Sequence, residues 1–323
     1  IQMYRVLALL RQTDGFLSGE EIGKQLSISR AAVWKAIGKL REEGYEIEAV
    51  TKKGYRLCTP QNLYNEQELK TGLQTKVMGQ NLAFFTELDS TNNRLRELAL
   101  TGAPEGTLVI AEKQNAGRGR RGRVWTSEAD SGIWMSLLLR PEIVPEKASV
   151  LTLLAGLATA EALEAETGLP MEIKWPNDIL CHGKKIVGIL TEMDCEMTQV
   201  HFVIAGIGIN VNTKSFPPEL ADIATSLYLE SGKVFSRKPL VHAVLEKIEQ
   251  HYQAFLDSGN SFAVLLEAYR KRCVTLHKQV QVLGQSPYTA YVLDITPEGE
   301  LLVQKEDGTQ EVVYSGEVSI RGV

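Results

Sequence analysis

Residues Gly117-Arg118-Gly119-Arg120-Arg121-Gly122-Arg123, closed by Trp125, lie between two apolar runs at 108–111 and 133–139. Each run reads as a buried strand, so the arginine-rich segment is a loop tied at both ends to a sheet. Three glycines permit positive φ angles and close backbone approach, and each guanidinium offers a planar donor fork suited to phosphate or carboxylate. The plain alternative is an exposed basic loop or an RG-type RNA contact. A disordered RNA-binding tail, however, has no reason to sit between core strands. The segment therefore reads as a loop that wraps an anion, in a chain whose net charge is −5.

With 323 residues, 44% of them hydrophobic, the chain has material for two or three domains with real cores. Its longest apolar run, 150–160, is far shorter than the roughly 20 residues of a membrane span, and no charged-then-apolar segment opens the sequence. A globular protein of the cytoplasm with no membrane partner is expected. Cys58, Cys181, Cys195 and Cys273 are scattered without a Cys-x-x-Cys, and His182, His201, His242, His251 and His277 form no cluster. Neither a disulfide framework nor a zinc site is signalled, and reduced thiols are the expectation.

Charge is uneven: residues 1–60 carry ten Lys/Arg against seven Asp/Glu, whereas the remainder carries 25 against 33. Within the basic part, Met3, Val6, Leu7 and Leu10 recur at helical spacing until Thr13-Asp14-Gly15. Ser18-Gly19-Glu20-Glu21 reads as a capping box opening a second helix with Ile22 and Leu26 inward, and Ser29 caps a third with Val33, Ile37 and Leu40 inward. That leaves Ser29, Arg30, Lys35 and Lys39 outside, the shape of a helix-turn-helix. The alternating run 45–50, the turn 51–54 and the return 55–57 add a wing with Lys52 and Lys53 at its tip, placed to touch phosphates. A helical docking domain with solvated lysines is the competing reading, and the wing decides against it. One such unit makes few contacts, so DNA binding implies a dimer on two half-sites.

Residues 59–62 break the pattern and a larger α/β unit follows. A strand at 82–85 precedes Asp89-Ser90-Thr91-Asn92, which opens a helix carrying Leu95, Leu98 and Leu100. A strand at 171–175 ends in Pro176-Asn177-Asp178. Residues 185–192 form the next strand, with Gly188 expected to give backbone access to a ligand, and 203–211 is a strand with glycines in its middle. Gly206-x-Gly208 fails as a dinucleotide fingerprint, and no Walker-type phosphate loop or Ser/His/Asp set occurs. A cationic loop, Lys185 and Asp178 suit stabilisation of charge on a polyphosphate better than attack by a protein nucleophile.

Taken together, Asp89-Ser90-Thr91-Asn92, the loop 117–123 with Trp125, Lys174-Trp175-Pro176-Asn177-Asp178, Lys185-x-x-Gly188 and Gly206-Ile207-Gly208-Ile209-Asn210-Val211 resemble the biotin protein ligases, in the family's order. With the winged helix in front, the chain is similar to their bifunctional members, which also repress the biotin operon. The resemblance implies an α/β (α+β) fold: a winged helix-turn-helix at 1–62, a central mixed β-sheet ligase domain with helices at 63–276, and a small SH3-like β-barrel at 277–323. It implies that biotin and Mg2+-ATP give biotinyl-5′-adenylate, and that the acyl group then passes to a lysine of a biotin carboxyl carrier domain. Carried over by position, Ser90, Thr91, Asn92 and Gln114 would surround the biotin rings. Arg118, Gly119 and Arg120 would belong to the closing loop, and Lys185 would contact the activated carboxylate or phosphate oxygens. Lys185, Asp178, Arg118 and Arg120 are the implied catalytic set, with Asp178 serving either the metal that accompanies ATP or the incoming lysine; no dedicated protein metal site is expected. Trp125 and Trp175 read as packing residues, and Asn93 and Val124 as positions without consequence for the chemistry.

Two amphipathic helices, 237–256 and 262–272, precede short strands at 279–283, 290–295, 301–304 and 311–314, with turn signals at 297–299 and 306–308. The terminal module is either a β cap on the catalytic domain or a contributor to nucleotide or carrier binding. An adenylate-favoured homodimer that alone spans operator DNA is the linked expectation. Two rivals remain: a lipoyl or octanoyl transferase of similar architecture, which needs a long apolar tunnel, and a ligand-sensing repressor without catalysis.

Overall fold

Ser18 accepts a hydrogen bond from the Glu21 amide while the Glu21 carboxylate accepts from the Ser18 amide, so the capping box forms in full. It opens α2 (Gly19–Leu26), between α1 (Gln2–Arg11) and α3 (Arg30–Glu42). The Ser29 hydroxyl caps α3 by accepting from the Ala32 amide at 3.2 Å. Val6, Leu7, Leu10, Ile22, Val33, Ile37 and Leu40 close one core, as their spacing predicts. The wing is β1 (Glu46–Val50) paired antiparallel with β2 (Gly54–Cys58), and Leu17 exchanges two backbone hydrogen bonds of 2.9 Å with Tyr55. The computed structural model describes residues 2–58, 63–314 and 318–319. The chain divides into two compact units, 1–63 and 64–323; the expected break at 59–62 lies outside the described residues.

The wing turn tolerates no side chain at its last residue, Gly54. Its φ is +105°, and a Cβ there would run into the Leu17 carbonyl. Gly54→Ala is expected to cost the first unit about 2 kcal/mol, read as an earlier calorimetric transition of the full chain; an unchanged transition would mean that the hairpin shifts to make room.

In the second unit, α4 (Glu66–Lys70) leads to β3 (Leu82–Leu88), α5 (Thr91–Leu100), β4 (Leu108–Gln114), β5 (Gly132–Leu139) and α6 (Ser149–Thr167). Then come β6 (Glu172–Lys174), β7 (Asp178–Cys181), β8 (Lys184–Cys195), β9 (Val200–Asn210) and the short helices α7 (Pro218–Ala221) and α8 (Leu227–Ser231). The strands form one mixed sheet in the order β3-β4-β5-β9-β8-β7-β6, in which only β3 and β4 run parallel. Both runs that flank the arginine loop are sheet strands, as expected. Strand β5 is buried throughout: Leu137 and Leu139 join the core under α6 and α9 (Arg237–Asp257), whereas Leu138 packs on the other side with Leu95 and Ala99 of α5. The stretch Pro145–Thr167 reaches 23 residues, so the 150–160 run understated it. By length and composition it passes as a membrane span, but 72% of its apolar window is buried inside the fold, where it serves as the core helix.

Helix α10 (Ala263–Arg272) leads to β10 (Gln279–Val282), β11 (Tyr288–Ile295), β12 (Leu301–Lys305), β13 (Gln310–Val313) and β14 (Val318–Ser319). They make an antiparallel sheet in the order β13-β12-β11-β10-β14. The expected barrel is thus seen as an antiparallel five-stranded sheet; among the described residues no ladder joins β13 to β14. The sheet is sewn to the larger one: the Thr275 hydroxyl accepts from the Trp175 amide at 3.0 Å, and the Gly299 carbonyl accepts from the Trp175 indole at 3.0 Å. Trp175 is a packing residue, as its sequence context suggested.

Candidate functional site

The glycines in the middle of β8 and β9 hollow out one face of the sheet. In register, Trp134, Gly208 and Gly188 form one cross-strand row, and Ser136, Gly206 and Leu190 the next. A Cβ at Gly208 would lie 2.5 Å from the Trp125 Nε1, and one at Gly188 would lie 2.8 Å from the same indole. A Cβ at Gly206 would run into the Asn92 side-chain oxygen. Gly188, expected to give a ligand access to the backbone, lines the cleft and also lies against Trp125, which stands in the hollow as a wall of the site.

Over this hollow opens a cleft of about 460 Å³, its mouth included, lined by Ser90, Thr91, Asn92, Gln114, Gly119, Arg120 and Lys185 together with Trp125 and Asn177. Seven of the eight residues expected around biotin therefore meet in one place. The start of α5 supplies the first group. Gln114 Oε1 accepts from the Thr91 amide at 2.9 Å, and Gln114 Nε2 donates to Ser127 Oγ at 2.9 Å. Ser136 Oγ donates to Asn92 Oδ1 at 2.6 Å, and Asn92 Nδ2 donates to Glu192 Oε2 at 2.9 Å. These bonds fix the amide orientations before any ligand arrives. Ser90 stands at the N-cap of α5 and is buried, but its side chain makes no capping bond.

The arginine loop spans the cleft. Its base is a small hairpin in which the Trp125 amide donates to the Gly117 carbonyl at 2.9 Å and the Gly119 amide to the Arg123 carbonyl at 2.7 Å. Arg118 Nη2 donates to Asn93 Oδ1 at 2.6 Å and lies 3.6 Å from Glu192 Oε1, while Arg120 Nη1 donates to Asn177 Oδ1 at 3.1 Å. One guanidinium thus holds the α5 wall and the other the turn before β7. Arg118 is exposed and outside the cleft lining, and Asn93, read as inconsequential, is its partner. Beside that wall, the Asp89 carboxyl is held below the usual range by the hydrogen bond from Asn93 and the Ser90 amide.

Lys185 projects into the cleft with its Nζ 2.8 Å from Asp178 Oδ1 and 5.2 Å from the centre of the Trp125 ring. The Asp178 contact is a close ion pair and not an aligned hydrogen bond, since that oxygen meets no hydrogen-bond geometry. Asp178 borders the cleft only through Lys185. Residues the sequence reading missed are Ser136, Glu192 and Asn177. Asn177 sat inside a quoted motif, whereas Ser136 and Glu192 lie mid-strand and carried no local signal.

In the first unit Ser29, Arg30, Lys35, Lys39, Lys52 and Lys53 are all exposed. Trp34, 72% exposed on the outer side of α3, was missed. The periodicity that turns Val33, Ile37 and Leu40 inward leaves position 34 outside, but only the polar residues of that face were singled out.

A mixed sheet with a preformed polar cleft under a cationic loop, here preceded by a winged helix, is the architecture of the biotin/lipoate class of protein ligases. The biotin/lipoate A/B protein ligase family matches residues 84–210, the HTH domain matches 3–56, and the biotin protein ligase C-terminal domain matches 275–321. The bifunctional ligase/repressor BirA of Bacillus spizizenii is 46% identical over 94% of this chain and 94% of its own length. Its namesake of Escherichia coli is 30% identical over 98% and 96%. The biotin protein ligase from Aquifex aeolicus in complex with biotin and ATP superposes with a TM-score of 0.66 at 35% identity, covering 75% of this chain and 99% of that one. The chain belongs to the biotin protein ligase family, among its bifunctional ligase/repressors.

Proposed function

We infer that this protein activates biotin with ATP to biotinyl-5′-adenylate, transfers biotin to a lysine of a biotin carboxyl carrier protein, and represses transcription of biotin synthesis genes in response to biotin. The observation that carries the reading is the meeting of Ser90, Thr91, Asn92, Gln114, Gly119, Arg120 and Lys185 in one cleft of a chain that also bears a winged helix. In this reading Thr91, Asn92 and Gln114, already oriented by their own hydrogen bonds, receive the neutral ureido ring, with Ser90 beside them. Each well-made bond in such a pocket contributes about 1 kcal/mol and rejects analogues that leave donors unpaired. Arg120 and Lys185 face the charge that grows on the α-phosphate as the biotin carboxylate attacks and pyrophosphate leaves. Arg118 acts from outside the cleft by latching the loop, with Gly119 at its turn, so that the anhydride is kept from water.

Asp178 suits a Mg2+ that arrives on ATP, because such an ion takes only one or two carboxylates and its remaining ligands from phosphate and water; it would neutralise phosphate charge there. In the transfer step a carboxylate is the available acceptor for the proton of the incoming lysine, and Asp178 borders the site. The domain limits 1–62, 63–276 and 277–323 go with this reading, as does a cytoplasmic location, supported by four free cysteines. The repressor would act as a homodimer favoured by the adenylate, testable by sedimentation with and without it; an unmoved monomer–dimer balance would sink that part.

Biotin-dependent exchange of labelled pyrophosphate into ATP tests the first half-reaction, with lipoate and octanoate in parallel. Exchange with biotin alone is expected; none with any acid would leave a sensor. For the DNA side, the double variant Lys52→Ala/Lys53→Ala is expected to weaken binding to operator and random duplex alike and to lower the salt slope by about 2. An unchanged slope would remove the wing from the interface.

A further inference from the structure

We propose that Cys181, His182 and Glu230 form a site for a zinc-class divalent cation, separate from the biotin cleft and independent of the ligase reading. The three come from two elements that the fold brings together: the β7–β8 hairpin, whose two-residue turn is His182-Gly183, and helix α8. Both turn residues have positive φ, 48° and 80°, the pattern of a type I′ hairpin. Positive φ is uncommon outside glycine, and histidine is among the residues enriched there. The ring is turned so that Nδ1 lies 3.7 Å from Cys181 Sγ and 2.6 Å from Glu230 Oε2. All three potential ligand atoms lie within 4.8 Å of one another.

Because one nitrogen faces both the sulfur and the carboxylate, the trio is no proton relay, which would use the two ring nitrogens in series. It has the convergence of a coordination site. A tetrahedral zinc with sulfur at ~2.3 Å and nitrogen or oxygen at ~2.0–2.1 Å sets an S···N edge of about 3.6 Å and an N···O edge of about 3.3 Å. The S···N edge is already in place, and the imidazole–carboxylate contact has to open by roughly 0.7 Å to reach that geometry. Cys181 is fully buried and Glu230 is braced by the Thr225 hydroxyl at 2.6 Å, while His182 is exposed, which gives the ion a way in and leaves a fourth position for water. On binding, the thiol proton leaves to solvent and a sulfur–metal bond replaces it. Soft and borderline ligands together favour Zn2+, Co2+ or Ni2+ over Mg2+.

The site joins the hairpin that leads into Lys185 to the segment that already holds Lys185 by its backbone. The Lys185 amide donates to the Ile223 carbonyl and the Thr225 amide to the Lys185 carbonyl, each at 2.8 Å. A bound ion would close a ring through Cys181, Lys185, Thr225 and Glu230 and act as a clamp on the strand that presents the cleft lysine.

Titration of the metal-free full chain with Co2+, followed by absorption, tests this. One equivalent should bring up thiolate-to-cobalt charge-transfer absorption in the near ultraviolet, displaced by Zn2+. The band should vanish in Cys181→Ser, persist in the exposed-thiol control Cys195→Ser, and require at least about tenfold more metal in His182→Ala. His182 is on the surface, so that variant keeps the test valid if Cys181→Ser fails to fold. Absence of the band in the parent chain, its survival in Cys181→Ser or its loss in Cys195→Ser would overturn the proposal.

Discussion

Lys185→Ala is expected to lower the rate of biotin-dependent pyrophosphate exchange by about 10²–10³-fold, the cost of removing one preorganised donor from a developing oxyanion. The ammonium lies between the Asp178 carboxylate at 2.8 Å and the Trp125 ring at 5.2 Å, so its position is fixed before substrate arrives. The loss should fall on kcat more than on the KM for biotin, because the charge it meets grows only as the carboxylate attacks the α-phosphate. A second consequence separates this role from mere packing. Removing Lys185 frees Asp178, so a Lys185→Ala/Asp178→Asn pair should restore stability without restoring rate. If Lys185→Ala retains more than a third of the parental rate, the lysine is a structural partner of Asp178 and takes no part in activation.

Arg237→Ala is expected to destabilise the second unit by about 3–5 kcal/mol, the range for breaking a buried charge pair. Arg237 is 7% exposed; its guanidinium donates to Glu112 at 2.6 and 3.1 Å and to the Gly132 carbonyl at 3.0 Å, and it stacks 3.9 Å from the centre of the Tyr64 ring. Three supports are lost at once, and Glu112 is left facing the protein interior. Arg237→Lys keeps the charge but not the planar fork, and should recover only part of the loss. Urea unfolding of the full chain measures both, and the Glu112→Ala/Arg237→Ala pair should cost less than the sum of the singles. A change under 1 kcal/mol for Arg237→Ala would show that the remaining packing holds β4 and β5 against α9 without it.

Local chemistry explains which parts were legible beforehand. The capping box at Ser18, the Ser29 cap, the wing and the strands flanking the arginine loop each depend on neighbours within a few residues, so periodicity and turn composition exposed them. The motif residues of the cleft were legible through their resemblance to a known family. Their arrangement was not: Arg118 outside the lining on Asn93, Ser90 without a capping bond, and Gly188 packed against an indole within the cleft wall are outcomes of packing. Trp34, a large apolar side chain left in solvent, was not singled out because the outer face of α3 was read for its charges alone.

The amino-acid order alone determined the succession of elements, the division of charge between the N-terminal segment and the rest, and the chemical types available at each motif, since propensity, capping and alternation act over short range. Tertiary structure decided which of those types meet. Ser136 reaches Asn92 across 44 residues, Glu192 reaches Asn92 across 100, and Glu230 reaches His182 across 48. Such contacts follow from sheet order and register, in which a glycine matters for what stands above it on the next strand or loop, and no window along the chain contains that information.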